Sequence, residues 1–155
     1  GNGLGIGDKL PGTIWSISTP PKKETLSNAL SDSFVCAGED GRMQEYQFDQ
    51  STQRWTLVFE VKESLSNGPI YCINWHPNES SSIAIGTADG TVVELLREEP
   101  VKQSEICKSL SWTVGRTFTA PLHSDVHSLC WLLEGKFLVY CTDSGAICIE
   151  PCAKI

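Results

Sequence analysis

The sequence predicts an all-β fold made of repeated four-stranded antiparallel sheets, and two observations carry this. First, a hairpin pattern of apolar strand, glycine turn and second strand occurs three times, at Phe34 to Met43, Ile83 to Leu96 and Phe137 to Ile147. Asp89-Gly90 is the strongest of these turn signals, because glycine takes positive φ without steric cost and aspartate tolerates it. Second, the strands that open the units keep a fixed spacing. Ile14, Ile70 and Val126 are 56 residues apart, as are Trp15, Tyr71 and His127, then Ser16, Cys72 and Ser128, then Ile17, Ile73 and Leu129. The turn glycines Gly41, Gly90 and Gly145 are spaced 49 and 55, so loops vary while strands hold register. Self-similarity at a fixed period marks a repeat architecture.

The elements follow in order. Residues 1–11 are glycine-rich and polar and read as a flexible lead or an outer strand. Their alternating glycines do not make a dinucleotide fingerprint, which needs a strand before the glycines and a helix after them. Gly12 to Ser18 is the first strand, and the Pro-, Lys- and Ser-rich residues 19–33 form a long loop. Phe34 to Ala37, Met43 to Phe48 and Trp55 to Val61 complete the first unit, about 12–61. In the last of these, alternation puts Trp55, Leu57, Phe59 and Val61 on one face. The second unit, about 68–114, opens with Ile70 to Trp75, turns at His76 to Glu79, and continues through the Ile83 to Leu96 hairpin. Charged residues 97–105 connect it to a fourth strand at Ser109 to Val114. The third unit, about 124–155, has Val126 to Trp131, a Leu133-Glu134-Gly135 turn and the Phe137 to Ile149 hairpin, and stops before a clear fourth strand.

Four antiparallel strands per unit, without helices, point to the blades of a β-propeller. The chain resembles the WD40-repeat β-propeller family over nearly everything after residue 11. The resemblance rests on Val126-His127-Ser128-Leu129-Cys130-Trp131, on Trp75-His76-Pro77 at the end of an equivalent strand, and on the turn Gly86-Thr87-Ala88-Asp89-Gly90-Thr91-Val92. His123 stands close to where the family places its histidine, and the resemblance implies a hydrogen bond within its blade. The departures are Tyr46, Leu95 and Glu150 where the family has tryptophan, Ser144 where it has aspartate, and a period longer than the usual ~40–45. About three blades are too few for a closed ring of four to eight. An open arc exposes two blade faces, and exposed apolar faces of that size find partners. The chain is therefore expected to be part of a larger propeller, completed by the rest of a parent sequence, by another chain, or by a second copy in a homodimer.

Composition narrows the function. A net charge of −7 disfavours general nucleic-acid binding, which needs a basic footprint. No apolar run approaches the ~20 residues of a membrane span. Seven cysteines, odd in number and without a CxxC pair, read as reduced, intracellular thiols, nuclear or cytoplasmic. Neither cofactor nor metal is expected. A zinc set drawn from Cys141, Cys148 and Cys152 with His127 or His123 fits no common module, and Cys148 lies in an apolar strand. Asp125 and His127 share one side of a strand, but no Gly-x-Ser-x-Gly elbow supplies a nucleophile. His76, at a strand end before Pro77, reads as a solvated turn residue.

The informative signal is charge on one face. The turns between second and third strands, and the loops leading into first strands, carry Glu39, Asp40, Asp89, Asp125 and Asp143. Aspartate there can serve turn geometry by bonding local backbone. It can also form an acidic rim for a Lys/Arg-rich segment of a protein partner. The resulting expectation is a non-enzymatic scaffold or adaptor within a multi-subunit complex. The alternative is a propeller hydrolase with a central-channel site.

Overall fold

The computed structural model describes residues 12–21, 32–61, 65–97 and 111–152. The expected lead at 1–11, most of the 19–33 loop, most of the charged connector and Cys107 lie outside them. Eleven strands and one short 3-10 turn are described: β1 (Ile14–Ser18), β2 (Ser33–Gly38), β3 (Met43–Asp49), β4 (Arg54–Glu60), β5 (Ile70–Trp75), β6 (Ser82–Thr87), β7 (Thr91–Leu96), β8 (Thr113–Thr119), the turn Pro121–His123, β9 (Val126–Leu132), β10 (Phe137–Thr142) and β11 (Ile147–Pro151). They form three antiparallel meanders, β1-β2-β3-β4, β5-β6-β7-β8 and β9-β10-β11. These are two four-stranded blades and one of three strands. Among the described residues no helix is long and apolar enough to cross a membrane.

Turn chemistry sets these meanders. Gly41, Gly90 and Gly145 close the second hairpin of each blade at φ of 70°, 80° and 81°, where a Cβ would be strained. Two strand expectations need correction. The fourth strand of the second blade lies at Thr113–Thr119 rather than 109–114. Trp112 precedes it, buried edge-to-face on Trp75 with ring centroids 5.7 Å apart. In β4 the expected single face is split. The β3–β4 pairing slips between Glu45 and Tyr46, so Glu45 faces Phe59 and Tyr46 faces Leu57. The extra residue of a bulge reverses alternation. Phe59 and Val61 then pack on the core shared with the second blade, while Trp55 turns to Phe34 and Phe48 on the other face.

The cores lie between the sheets. Val35, Ala37 and Met43 of the first blade meet Ile70, Ile73, Trp75, Ile83, Ile85, Val93 and Leu95 of the second. On the far side of the second blade, Cys72, Ala84 and Val92 meet Val126, Leu129, Leu138 and Tyr140 of the third. Each joint sets a small-residue face against a large-residue face. At Gly86 an added Cβ would fall 2.5 Å from the Cys72 sulfur and 2.6 Å from a Val126 methyl, so only glycine permits that approach.

The first strands also bridge the joints by polar contacts that follow the repeat. Ser16 Oγ accepts the Ile73 N–H at 3.1 Å and Ser18 Oγ accepts the Trp75 N–H at 2.9 Å. One repeat later, the Cys72 thiol donates to the Val126 carbonyl at 3.8 Å and the Asn74 amide to the Leu129 carbonyl at 2.6 Å. The Trp131 indole N–H returns to the Asn74 carbonyl at 3.2 Å.

His76 is buried rather than solvated. Its Nδ1 accepts the backbone N–H groups of Asn78 and Glu79 at 3.1 and 3.0 Å, and its ring meets Trp131 edge-on at 4.6 Å. The indole that covers it comes from the third blade, which is why the local sequence suggested solvent.

Candidate partner-binding site

The repeat places the acidic residues. Thr13, Pro69 and Asp125, 56 residues apart, each precede a first strand by one residue. Their carbonyls accept the N–H groups of Glu39 at 2.9 Å, Ala88 at 2.9 Å and Asp143 at 3.1 Å. Glu39, Ala88 and Asp143 are thus equivalent turn positions, and Asp40, Asp89 and Ser144 are the next ones. All five acidic residues singled out from the sequence lie on these turns and first-strand loops, but their side chains fall into two groups.

Asp40 and Asp89 bond their own turns. Asp40 Oδ1 accepts the Arg42 N–H at 3.1 Å. Asp89 accepts hydroxyl protons from Thr87 and from Thr91, the latter at 2.6 Å, and the Asn67 N–H at 3.4 Å. Partial burial pushes its carboxyl up, but these donors outweigh that and hold it below the usual aspartate value.

Glu39, Asp125 and Asp143 face side chains of the first strands. Trp15, Tyr71 and His127 occupy one register position in the three blades, and they form a row. Trp15 meets Tyr71 edge-on at 5.7 Å, and Tyr71 stacks on His127 at 4.6 Å with planes 14° apart. Trp15 is 52% exposed. Its indole N–H donates to Glu39 at 3.0 Å. At the other end, His127 Nε2 lies 2.7 Å from Asp143 Oδ1. The sequence shows these three rings at one period, but only the blade packing brings them into contact.

Asp125, His127 and Asp143 each offer one ligand atom within 4.8 Å of the others, an arrangement that could accept a divalent cation. The thiols do not converge into the zinc set considered above. Cys148 and Cys152 pack on the core between second and third blades, whereas Cys141 pairs with Ile147 in register and is exposed. His123 is exposed at φ 50°, and only its backbone bonds the turn, to the Ala120 carbonyl at 3.1 Å. The intrablade side-chain bond implied by the family resemblance does not form among the described residues.

No protein-family model and no curated protein matches the sequence. Among solved structures, the chain is similar to the crystal structure of Sqt1 from Chaetomium thermophilum, with a TM-score of 0.58 and 13% identity. That likeness covers 89% of this chain and 42% of the Sqt1 chain. The likeness shows the fold, a β-propeller assembled from such blades. The shared property is the blade architecture, and this chain spans less than half the length of the protein it resembles.

Proposed function

We propose that the chain is a non-enzymatic interaction scaffold, an arc of a larger propeller that works inside a multi-subunit complex. One observation carries this reading. The positions that bridge to the next blade, Ser16 and Ser18 in the first and Cys72 and Asn74 in the second, recur 56 residues later as Ser128 and Cys130, both exposed on the third blade. Around them Leu132, Ile147 and Ile149 are also exposed, at 40%, 77% and 60%. Val139 and Cys141 repeat the small residues Val35 and Ala37, and Ala84 and Gly86, that receive a neighbouring blade in the two formed joints. A large-residue face is what such a surface accepts. The side of the first blade turned away from the second is one, with Phe34 stacked on Tyr46 at 5.2 Å, Trp55 beside Phe34 and Phe48, and Ile17 exposed. A second copy, or a partner chain contributing blades, completes both joints.

The test is the mass of the purified chain by light scattering across a dilution series. A stable dimer supports two arcs closing one ring. Aggregation that a blade-bearing partner relieves supports completion by another chain. A monodisperse, cooperatively folding monomer sinks the incomplete-arc reading.

In this reading Glu39, Asp125 and Asp143 of the rim receive a Lys/Arg-rich segment of a protein partner, while Asp40 and Asp89 bond their own turns. Support comes from the net charge of −7 and from the outward placement of Glu39 and Asp143. The hydrolase alternative draws little support from His127. Its Nε2 bonds Asp143 and one ring face covers Tyr71, with no hydroxyl or thiol bonded to it among the described residues. The six described cysteines are all free thiols, which fits an intracellular setting.

A further inference from the structure

We infer that the row Trp15–Tyr71–His127, with Glu39 at one end and Asp125 and Asp143 at the other, is a recognition site for arginine side chains in an extended segment of a partner protein. The inference rests on the basic-segment reading above and names the groups that do the recognising.

Acidity alone attracts any cation. The row adds selectivity. Trp15 meets Tyr71 edge-on and is half exposed, so its indole presents open π surface. The Glu39 carboxylate is fixed at its edge by the indole N–H, 3.0 Å away. A planar guanidinium laid over that indole meets the negative π surface and can donate to the carboxylate beside it. An ammonium does the first but offers no planar fork for the second. At the opposite end, His127 is stacked on Tyr71 and paired with Asp143, leaving an exposed imidazole with two carboxylates alongside.

The arrangement follows from the repeat. Equivalent positions in adjacent blades place one ring per first strand side by side. The turn residues Glu39 and Asp143, also equivalent, then carry their carboxylates to the two outer rings. In the second blade that position is Ala88, and the adjacent Asp89 is tied to Thr87 and Thr91, so Tyr71 has no carboxylate at the equivalent place and is held between its neighbours. The row is therefore charged at its ends and apolar in the middle. That pattern suits two cationic side chains separated by a short neutral spacer.

The experiment titrates the full chain with a short Arg-Gly repeat peptide and its Lys-Gly counterpart of equal charge, by calorimetry and tryptophan fluorescence. It is repeated on Trp15→Ala and Glu39→Gln, with circular dichroism confirming that both variants keep their strands. The expected result is about fivefold tighter binding of the arginine peptide, with quenching of tryptophan emission. Glu39→Gln, which removes the charged acceptor of the fork, and Trp15→Ala, which removes the platform that aligns it, should each weaken both peptides and abolish the arginine preference. Equal affinity for the two peptides, unmoved by Trp15→Ala, overturns the arginine site while leaving a merely acidic rim standing. Binding of neither peptide overturns both readings.

Discussion

The Arg97 guanidinium reaches across the joint between the first two blades and meets the buried Glu45 carboxylate with two hydrogen bonds, at 2.9 and 2.8 Å. The Trp112 indole N–H donates to the same carboxylate at 3.2 Å, and Arg97 lies over the Trp112 ring at 4.4 Å. Glu45 Oε1 thus has two donors, one charged, in a place almost free of water. Breaking such a pair from one side leaves an uncompensated buried charge. Arg97→Ala should destabilise the chain by about 3–5 kcal/mol in chemical denaturation. Replacing both partners by apolar residues of similar volume should cost much less, because desolvation of both ions is then avoided. If the double variant were as unstable as the single one, packing of the arginine stem and not the orphaned charge would explain the loss.

Gly135 lies against His76, and this contact depends on both residues. At Gly135 φ is +88°, and an added Cβ would sit 1.8 Å from His76 Nε2. A side chain there is both strained and in collision. Gly135→Ala should lower stability by about 1–3 kcal/mol. Pairing it with His76→Ala should recover the part due to collision but not the part due to backbone strain. A thermal-melt cycle of the four proteins separates the two.

The described thiols should divide by reactivity. Burial pushes Cys36 up to about 11, with the Asp40 charge adding to the effect, and pushes Cys72 up to about 12. Cys130 and Cys141 are exposed. Only thiolates react readily with alkylating reagents. At neutral pH, mass spectrometry should show Cys130 and Cys141 modified first, with Cys36 and Cys72 modified only on unfolding. Protection of Cys130 and Cys141 in the native protein, with reactivity regained on dilution, would instead show that the free face of the third blade is already covered in solution.

The residues that repeat were the legible ones. Spacing of Ile14, Ile70 and Val126 located the first strands, and the glycine turns located the hairpins, because backbone geometry at those points restricts residue choice. Features set by a neighbouring sheet were not legible. Glu45 sits in a polar-looking strand, and its burial depends on Arg97 and Trp112, which arrive 52 and 67 residues later. The slip beside Tyr46 leaves no local mark, yet it sends Phe59 and Trp55 to opposite faces. The exposed, glycine-interrupted β8 gave only a weak apolar signal, so the expected strand moved onto Trp112, a core residue outside it. At the rim the sequence marked the five acids by position but could not separate Asp89, tied to Thr87 and Thr91, from Glu39, tied to Trp15.

That separation gives the last prediction. The Asp89 carboxyl is held below its usual 3.8 by hydrogen bonds that outweigh partial burial. A depressed folded value means that the charged form stabilises the fold. The contribution is fully present above the unfolded value and is lost as pH falls below 3.8 through the folded one. Asp89→Ala should therefore lower stability by about 1–3 kcal/mol at neutral pH and flatten this part of the acid limb in a pH series of melts. Glu39→Lys, on an exposed side chain, should change stability by only about 0.5 kcal/mol. It should weaken association with a basic peptide and reduce the salt dependence of that association. If Asp89→Ala reduces peptide binding as strongly as Glu39→Lys while leaving the melt unchanged, the assignment of one carboxylate to the turn and the other to the partner is wrong.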